Sequence, residues 1–315
     1  MYIVGNRYKI IDKDEIYPNN LYKAQDTFCN NLVLINIIEY NNYVNKNFLE
    51  NLIDEMTHLK SLKFPGILEI IDVGVFKTEK TYYYIVSPYY NGITLEKMIK
   101  ENLLNRKYII KIFNKILKTF EFAENNNIYH GSLNPKLIMI DSNFDVKIAN
   151  FGIVKANNGI NIRNKDTKVY LSPSQICINY TDIQSDFYSL GIILFESLFN
   201  KLPYKVYDED EKMLNLIDKG IDYSKFNSNE SNKDMIDIIN KLLARKDKYQ
   251  NVKEIIVDIT GLMYDEVNIN NVDMVIQKEV EVVRKKRKKY KYKNKIIAII
   301  IIILVIISSF FAVFQ

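Results

Sequence analysis

Cysteine is nearly absent from this sequence of 315 residues. The two that occur, Cys29 and Cys177, form neither a disulfide framework nor the paired spacing of a metal site. The first residues also have no long apolar stretch behind a basic region, so no secretory signal peptide is expected. These absences argue against a disulfide-stapled secreted protein, and they suit a domain that stays in the reducing cytosol.

Acidic residues are missing from the segment 284–295, which reads RKKRKKYKYKNK and carries nine basic residues. The whole chain has a formal charge of +5, but without these nine residues 34 basic side chains remain against 38 acidic ones. The rest of the chain is therefore mildly acidic. This net charge argues against a body that binds polyanions through a general positive charge.

Charge is missing altogether from residues 296–314, which read IIAIIIIILVIISSFFAVF. Nineteen helical residues reach roughly 28 Å, about the thickness of one hydrocarbon core. We therefore expect a single transmembrane helix; the alternative is a buried core helix. The basic flank predicts that residues 1–295 are cytoplasmic and that the C-terminus lies at the far side.

The basic flank 284–295 adjoins this apolar segment directly. Anionic lipid head groups are its expected partner, with a nucleic-acid patch as the alternative. Residues 262–283 contain neither glycine nor proline, and we interpret 262–295 as a juxtamembrane linker.

Two kinds of periodicity divide the remaining chain. Residues 32–38 and 81–87 are β-branched or aromatic runs typical of strands, and residues 48–62 have apolar positions at helical spacing. Further helices are predicted at 95–104, 108–126, 185–199 and 234–244. The pattern predicts an α+β protein in which a small strand-rich lobe precedes a larger helical lobe.

Residues 128–152 read IYHGSLNPKLIMIDSNFDVKIANFG. This segment resembles the protein-kinase catalytic loop, H-R-D-L-x-x-x-N, followed by two short strands and D-F-G. Downstream, VYLSPSQ (169–175) resembles the A-P-E region, and SDFYSLG (185–191) resembles the start of the central helix of the large lobe. Upstream, segments similar to the hinge and to the corner after the small-lobe helix occur in the family's order.

The resemblance runs from about Tyr8 to about Gly261 and implies a two-lobed protein-kinase fold. We expect a kinase-like domain over 1–261, with a small lobe of about 1–89 and a large lobe of about 90–261. The linker 262–295 and the transmembrane helix 296–314 would follow.

Phosphoryl transfer in this family depends on positioning and on neutralising charge. A glycine-rich loop covers the phosphates, but the matching segment here places Asp14, Ile16 and Asn19 where glycines belong. The third strand should carry a lysine that holds two phosphates, and Asn36 stands there instead. Leu34 replaces a small alanine, so it is expected to intrude on the nucleotide space.

The catalytic loop differs from the family pattern at each position that carries charge or metal. Ser132 stands for the catalytic aspartate, Asn134 for the lysine that follows it, and Leu137 for the metal-binding asparagine. Asn150 replaces the aspartate of D-F-G. A serine has no useful basicity near neutral pH, and leucine offers Mg²⁺ no oxygen ligand.

Several structural positions of the family are retained. His130, Phe151 and Gly152 match the loop and D-F-G, and Asp186 matches the residue that holds the catalytic-loop backbone. Glu55 falls at the glutamate of the small-lobe helix. With no lysine at position 36 its cationic partner is expected to be missing, so the helix would swing outward; the alternative is an exposed helix residue.

We expect no bound cofactor and no metal site. Adenine could still reach the backbone of the hinge, where Pro88 offers a carbonyl and Tyr90 an N–H. Leu34, Asn36 and the missing glycines argue against nucleotide binding.

Three functions follow from these observations. The first is a pseudokinase: a membrane-tethered signalling scaffold or regulator that docks an unidentified protein on the cytoplasmic face. The second is a weakly active or atypical ATP-dependent Ser/Thr protein kinase. The third is a structural subunit of a membrane assembly of the secretion type.

Overall fold

The computed structural model describes residues 2–11, 21–226 and 232–263, and the chain up to Gly261 forms one compact unit. Its strands are β1 (Ile3–Val4), β2 (Tyr8–Ile10), β3 (Leu21–Asp26), β4 (Leu32–Glu39), β5 (Asp72–Lys77), β6 (Thr81–Pro88), β7 (Ile93–Thr94), β8 (Ile138–Ile140) and β9 (Val146–Ile148). Its helices are α1 (Phe48–Leu62), α2 (Leu95–Lys100), α3 (Arg106–Asn125), α4 (Ile153–Ala156), α5 (Pro173–Ile178), α6 (Ile183–Phe199), α7 (Asp210–Lys219) and α8 (Lys233–Leu243), and residues 252–263 are also helical. The predicted α+β arrangement of a strand-rich lobe before a helical lobe is confirmed.

The small lobe is built on an antiparallel sheet with the strand order β1-β2-β3-β4-β6-β5. Strand β4 is central and buried on both faces, which explains its continuous β-branched run. Because side chains alternate along a strand, Ile35 and Ile37 enter one core of the sheet. Leu34, Asn36 and Ile38 lie on the opposite face, toward the large lobe and α1.

Helix α1 closes that second face. Its apolar residues Phe48 and Leu52 pack with Ile38 of β4, and Ile153 and Ala156 of α4 join the same core. The helix ends where Lys63 adopts a left-handed conformation (φ 48°). Helix α4 lies directly after the F-G pair, so this core ties the small lobe to the segment that follows the catalytic loop.

The large lobe is organised around α6, most of whose residues are buried. Its N-terminus is fixed by a capping box in which the Asp182 carboxylate accepts from the Ser185 backbone N–H at 3.0 Å.

Helix α2 is shorter than predicted: it ends at Lys100 rather than near residue 104. Asn102 takes a left-handed conformation (φ 53°) just beyond it, which turns the chain.

No helix within the described ranges is long and apolar enough to cross a bilayer. The predicted transmembrane helix 296–314 and the basic segment 284–295 lie outside those ranges, as does most of the predicted linker. The segment 12–20, which holds the positions expected for the glycine-rich loop, also lies outside them.

Candidate functional site

The loop from His130 to Leu137 is held by one buried carboxylate. Asp186, in the first turn of α6, accepts the backbone N–H of His130 and of Gly131, each at 2.7 Å. Burial raises the pKa of Asp186 to about 7, against the opposing effect of these two N–H groups. The geometry fixes where the loop begins and points Ser132 toward the cleft between the lobes.

His130 is fully buried, and its ring meets Phe151 edge-on with centroids 4.9 Å apart. Its Nε2–H donates to the Ala149 carbonyl at 2.8 Å, so Nδ1 is the acceptor for the Ser132 backbone N–H at 3.2 Å. Burial lowers the pKa of His130 to about 4. Both nitrogens are therefore engaged within the fold, and the ring is placed for packing rather than for proton transfer.

Asn134 uses its side chain to close the loop. Its Oδ1 accepts from the Lys136 backbone N–H and its Nδ2 donates to the Ser132 carbonyl, both at 3.1 Å. The residue is 4% exposed and begins a short 3₁₀ helix, Pro135–Leu137. The Asn134 carboxamide therefore stabilises the turn through these two hydrogen bonds and offers no positive charge to a phosphate.

Leu137 lies in an apolar cluster between the lobes. The cluster comprises Leu34, Leu68, Leu137, Met139 and Ala149, with Leu21, Tyr89 and Tyr90 packed against it. Strand β4 supplies Leu34, and the end of the catalytic loop supplies Leu137. The Leu137 side chain thus stands where the family has a metal-binding asparagine, and Leu34 packs in the same apolar cluster between the lobes.

The hinge follows β6 directly. Pro88 is the last residue of β6 and pairs with Val33 of β4. Two residues later, the Tyr90 hydroxyl donates to the Asp145 carbonyl at 3.0 Å. Tyr90 is thereby tied to the loop before β9.

Asn36 and Asn150 bring neutral amides to two positions where the family carries charge. Asn36 is 1% exposed, and neither its Oδ1 nor its Nδ2 has a hydrogen-bond partner among the described residues. Such a buried amide costs stability and supplies no cation. Asn150 is 8% exposed and adopts a left-handed backbone (φ 69°) before Phe151 and Gly152.

Glu55 has a cationic partner that the sequence did not suggest. Its Oε1 lies 2.7 Å from Nζ of Lys155 in α4, and the Glu55 side chain is only 14% exposed. The expectation that this carboxylate lacks a cationic partner is therefore wrong, whereas the outward position of α1 stays a prediction. Gly152 (φ 86°) permits the approach, because a Cβ there would lie 3.0 Å from Leu59 and 3.3 Å from Glu55.

The segment from Gly152 to Ser172 is anchored at further points that sequence reasoning missed. Asn51 of α1 donates to the Ala156 carbonyl at 2.8 Å, and Asn161 donates to the Gly131 carbonyl at 2.7 Å. Arg163 and Lys168 both pair with Asp210, at 2.9 and 2.6 Å. The only signal in the sequence is the complementary charge of the basic segment 163–168 and the acidic segment 208–211.

Ser132, Asn134, Leu137 and Asn150 line one small cavity of about 40 Å³, which has room for a few waters. Within the described ranges, no group of three or more His, Cys, Asp or Glu side chains is placed to hold a metal ion. An Mg²⁺–nucleotide complex needs oxygen ligands and cations at these positions. Leu137 offers no oxygen, Asn36 offers no cation, and Ser132 and Asn150 offer only uncharged oxygens, so these side chains fit that complex poorly.

The pairing of Glu55 with Lys155 predicts energetic coupling between α1 and α4. Replacing Lys155 with methionine leaves a mostly buried carboxylate and should lower the free energy of unfolding by about 1–3 kcal/mol. Glu55→Gln combined with Lys155→Met should cost less than the sum of the single changes. Urea unfolding of the four proteins measures the coupling.

The exposed pair of Lys97 in α2 and Glu101 just after it is the matched control, with 3.8 Å between charged atoms. The cycle Lys97→Met with Glu101→Gln should give a coupling near zero. Equal coupling in both cycles would contradict a buried role for Glu55.

Buried His130 predicts a dependence of stability on pH. Its pKa is lowered to about 4 in the fold, whereas the unfolded chain protonates near 6.5. The stabilising effect is therefore full above pH 6.5 and is lost as the pH falls toward 4. In His130→Phe, the change in unfolding free energy across this window should be smaller than in the parent by up to about 3 kcal/mol.

Asp186 is present in the parent chain and in the His130→Phe variant, so its own titration cancels when the two are compared. Denaturant unfolding at several pH values measures the two slopes. Identical slopes would show that His130 is not held neutral by burial.

Comparison with known protein families matches residues 20–253 to the protein kinase domain. A probable serine/threonine-protein kinase of Clostridium acetobutylicum is 31% identical over 280 residues, covering 84% of this chain and 41% of that protein. One of Clostridium perfringens is 30% identical over 272 residues, covering 84% and 39%. The serine/threonine-protein kinase PrkC of Bacillus subtilis is 34% identical over 191 residues, covering 59% and 29%.

The chain spans about two fifths or less of the length of these curated relatives. The family match nevertheless extends from β3 to the helical segment after α8 and includes both lobes. The chain therefore belongs to the protein kinase domain family and has serine/threonine kinases among its homologues.

Proposed function

We propose that this chain is a membrane-tethered pseudokinase, which binds a protein partner on the cytoplasmic face as a scaffold or regulator and does not transfer phosphate. The observation that carries the proposal is the packing of Leu137. This residue stands where the family binds metal, and it is buried with Leu34 in the seam between the lobes. A metal ion there would meet hydrocarbon in place of oxygen.

The other positions support the same conclusion independently. Ser132 cannot accept a proton as a carboxylate does, and Asn36 cannot neutralise a phosphate. Asn134 is engaged in closing the loop. The charge-stabilising groups are thus replaced together, while Asp186 and the His130–Phe151 contact keep the loop in shape.

The membrane part of the proposal rests on the sequence of residues 284–314. Nineteen uncharged residues follow nine basic ones, a pattern that favours one span with the kinase-like domain on the cytoplasmic side.

A second candidate is a weakly active Ser/Thr protein kinase. The relatives favour it, since the proteins that match over most of this chain are named as serine/threonine kinases. On this account, the backbone of Pro88 and Tyr90 would hold adenine, and neighbouring groups would compensate for the lost cations.

Thermal unfolding with nucleotide separates the two candidates. We expect the whole chain in detergent to show no change in Tm at millimolar ATP, with or without Mg²⁺ or Mn²⁺, because Asn36, Asn134 and Asn150 stand where the family carries the charges that hold the triphosphate and its metal. A ligand at 100 times its Kd would add about 2.7 kcal/mol of stability, which such a scan detects.

The B. subtilis kinase PrkC, treated in the same way, serves as the positive control for the assay. A clear metal-dependent rise in the Tm of this chain would contradict the pseudokinase proposal and favour the weak kinase.

A further inference from the structure

Helix α3 presents a row of lysines on its outer surface. Lys107, Lys111, Lys115 and Lys118 recur at spacings of four, four and three residues, so they lie on one face of the helix. All four are exposed, whereas the opposite face is buried in the large lobe. The row extends about 16 Å along the helix axis, and we refer to these four residues as the lysine stripe.

A concave surface adjoins one end of the lysine stripe. Lys115, Lys118 and Lys147 of β9 line a pocket of about 390 Å³, whose wall also includes Phe64 and Pro65. Three lysines therefore border a space large enough for a phosphate-bearing head group, and Asp141 and Asp145 lie in the same wall.

The acidic side chains of this pocket are already engaged. Asp145 pairs with Lys115 at 2.7 Å, and Asp141 accepts the backbone N–H groups of Asn143 and Asp145, each at 2.9 Å. Lys118 and Lys147 have no ion pair within the described part of the chain.

The outer end of the stripe is also positive. Lys111 lies over the ring of Phe144, with 4.5 Å from Nζ to the centroid, and Lys107 has no ion pair among the described residues. A ring contact leaves the charge of Lys111 in place. The face as a whole is therefore positive, although the chain outside 284–295 has more acidic than basic residues.

From this charge distribution we propose that the lysine stripe and Lys147 form a docking surface for anionic phospholipid head groups. The inference rests on the membrane tether of the proposed function. The tether holds the domain near the bilayer, which raises the effective concentration of lipid at every face. Because the body is otherwise mildly acidic, the lysine face is the one that an anionic surface selects.

The predicted linker is long enough to allow this orientation. Residues 264–283 lie between the described residues and the basic run, and a chain of 20 residues spans at most about 70 Å when fully extended. The helical segment 252–263 begins beside the end of α3, where the Val252 N–H donates to the Glu124 carboxylate at 3.1 Å.

Lysine acetylation of the whole chain in lipid nanodiscs tests the proposal. The discs contain either phosphatidylcholine alone or phosphatidylcholine with 30% phosphatidylserine (about one lipid in three is anionic). We expect Lys118 and Lys147 to react about fivefold more slowly in the anionic discs, the factor that corresponds to roughly 1 kcal/mol per lysine. Lys201 and Lys219, which lie outside the stripe, should react equally in both discs. At about 0.5 M salt the difference should disappear, because screening weakens the attraction.

A pair of double variants gives the matched comparison. Lys118→Gln with Lys147→Gln should reduce the protection of Lys107 and Lys111 in anionic discs, and Lys201→Gln with Lys219→Gln should leave it unchanged.

The outcomes separate this inference from the tether on which it rests. If the chain enters the discs but Lys118 and Lys147 are acetylated at the same rate in both lipids, the docking surface is overturned and the tether remains intact. Protection that is equal in both lipids and resists salt would indicate an occupant other than anionic lipid, such as an acidic protein segment, and also overturns it. A chain that fails to enter either disc removes the tether and the docking surface together.

Discussion

The fold of the catalytic loop depends on the carboxylate of Asp186. Its two oxygens accept the N–H groups of His130 and Gly131 deep in the large lobe. This arrangement places the His130 ring against Phe151, fixes the path to Ser132, and leads the chain into the 3₁₀ helix that ends at Leu137. A protein that needs only the shape of a kinase must retain these contacts, and this chain retains them.

Around that fixed loop, groups that would act on phosphate are replaced by groups that pack or pair internally. Leu137 joins Leu34 in the seam between the lobes, and Asn134 caps a turn. Glu55 pairs with Lys155 of α4 instead of with a lysine on β4. Leu137 removes a metal ligand, Asn134 removes a positive charge, and Lys155 satisfies the charge of Glu55 within the protein. The replacement is incomplete at Asn36, whose buried amide has no hydrogen-bond partner among the described residues, a cost that packing elsewhere must offset.

Much of this architecture could be predicted from the sequence because its signals are local. Strands β4 and β6 and helix α1 lie within a residue or so of their predicted bounds, since periodicity records burial directly. Helix α2 was predicted too long, because its apolar pattern continues through Leu103 and Leu104 although Asn102 turns the chain. The partner of Glu55 could not be predicted, as Lys155 is a hundred residues away and only the fold brings α4 against α1. The helical spacing of the lysine stripe is present in the sequence. The exposure of these lysines and the pairing of Asp145 with Lys115 are seen only in the structure.

The central claim is that this member of the kinase family does not transfer phosphate. The most direct measurement is mass spectrometry of the whole chain, and of a generic Ser/Thr protein substrate, after hours of incubation with millimolar ATP and Mg²⁺ or Mn²⁺. The account predicts no phosphate on either protein above the level found without added ATP. Phosphate that appears with the intact chain, and disappears when Asn150 or Ser132 is replaced by alanine, would contradict it.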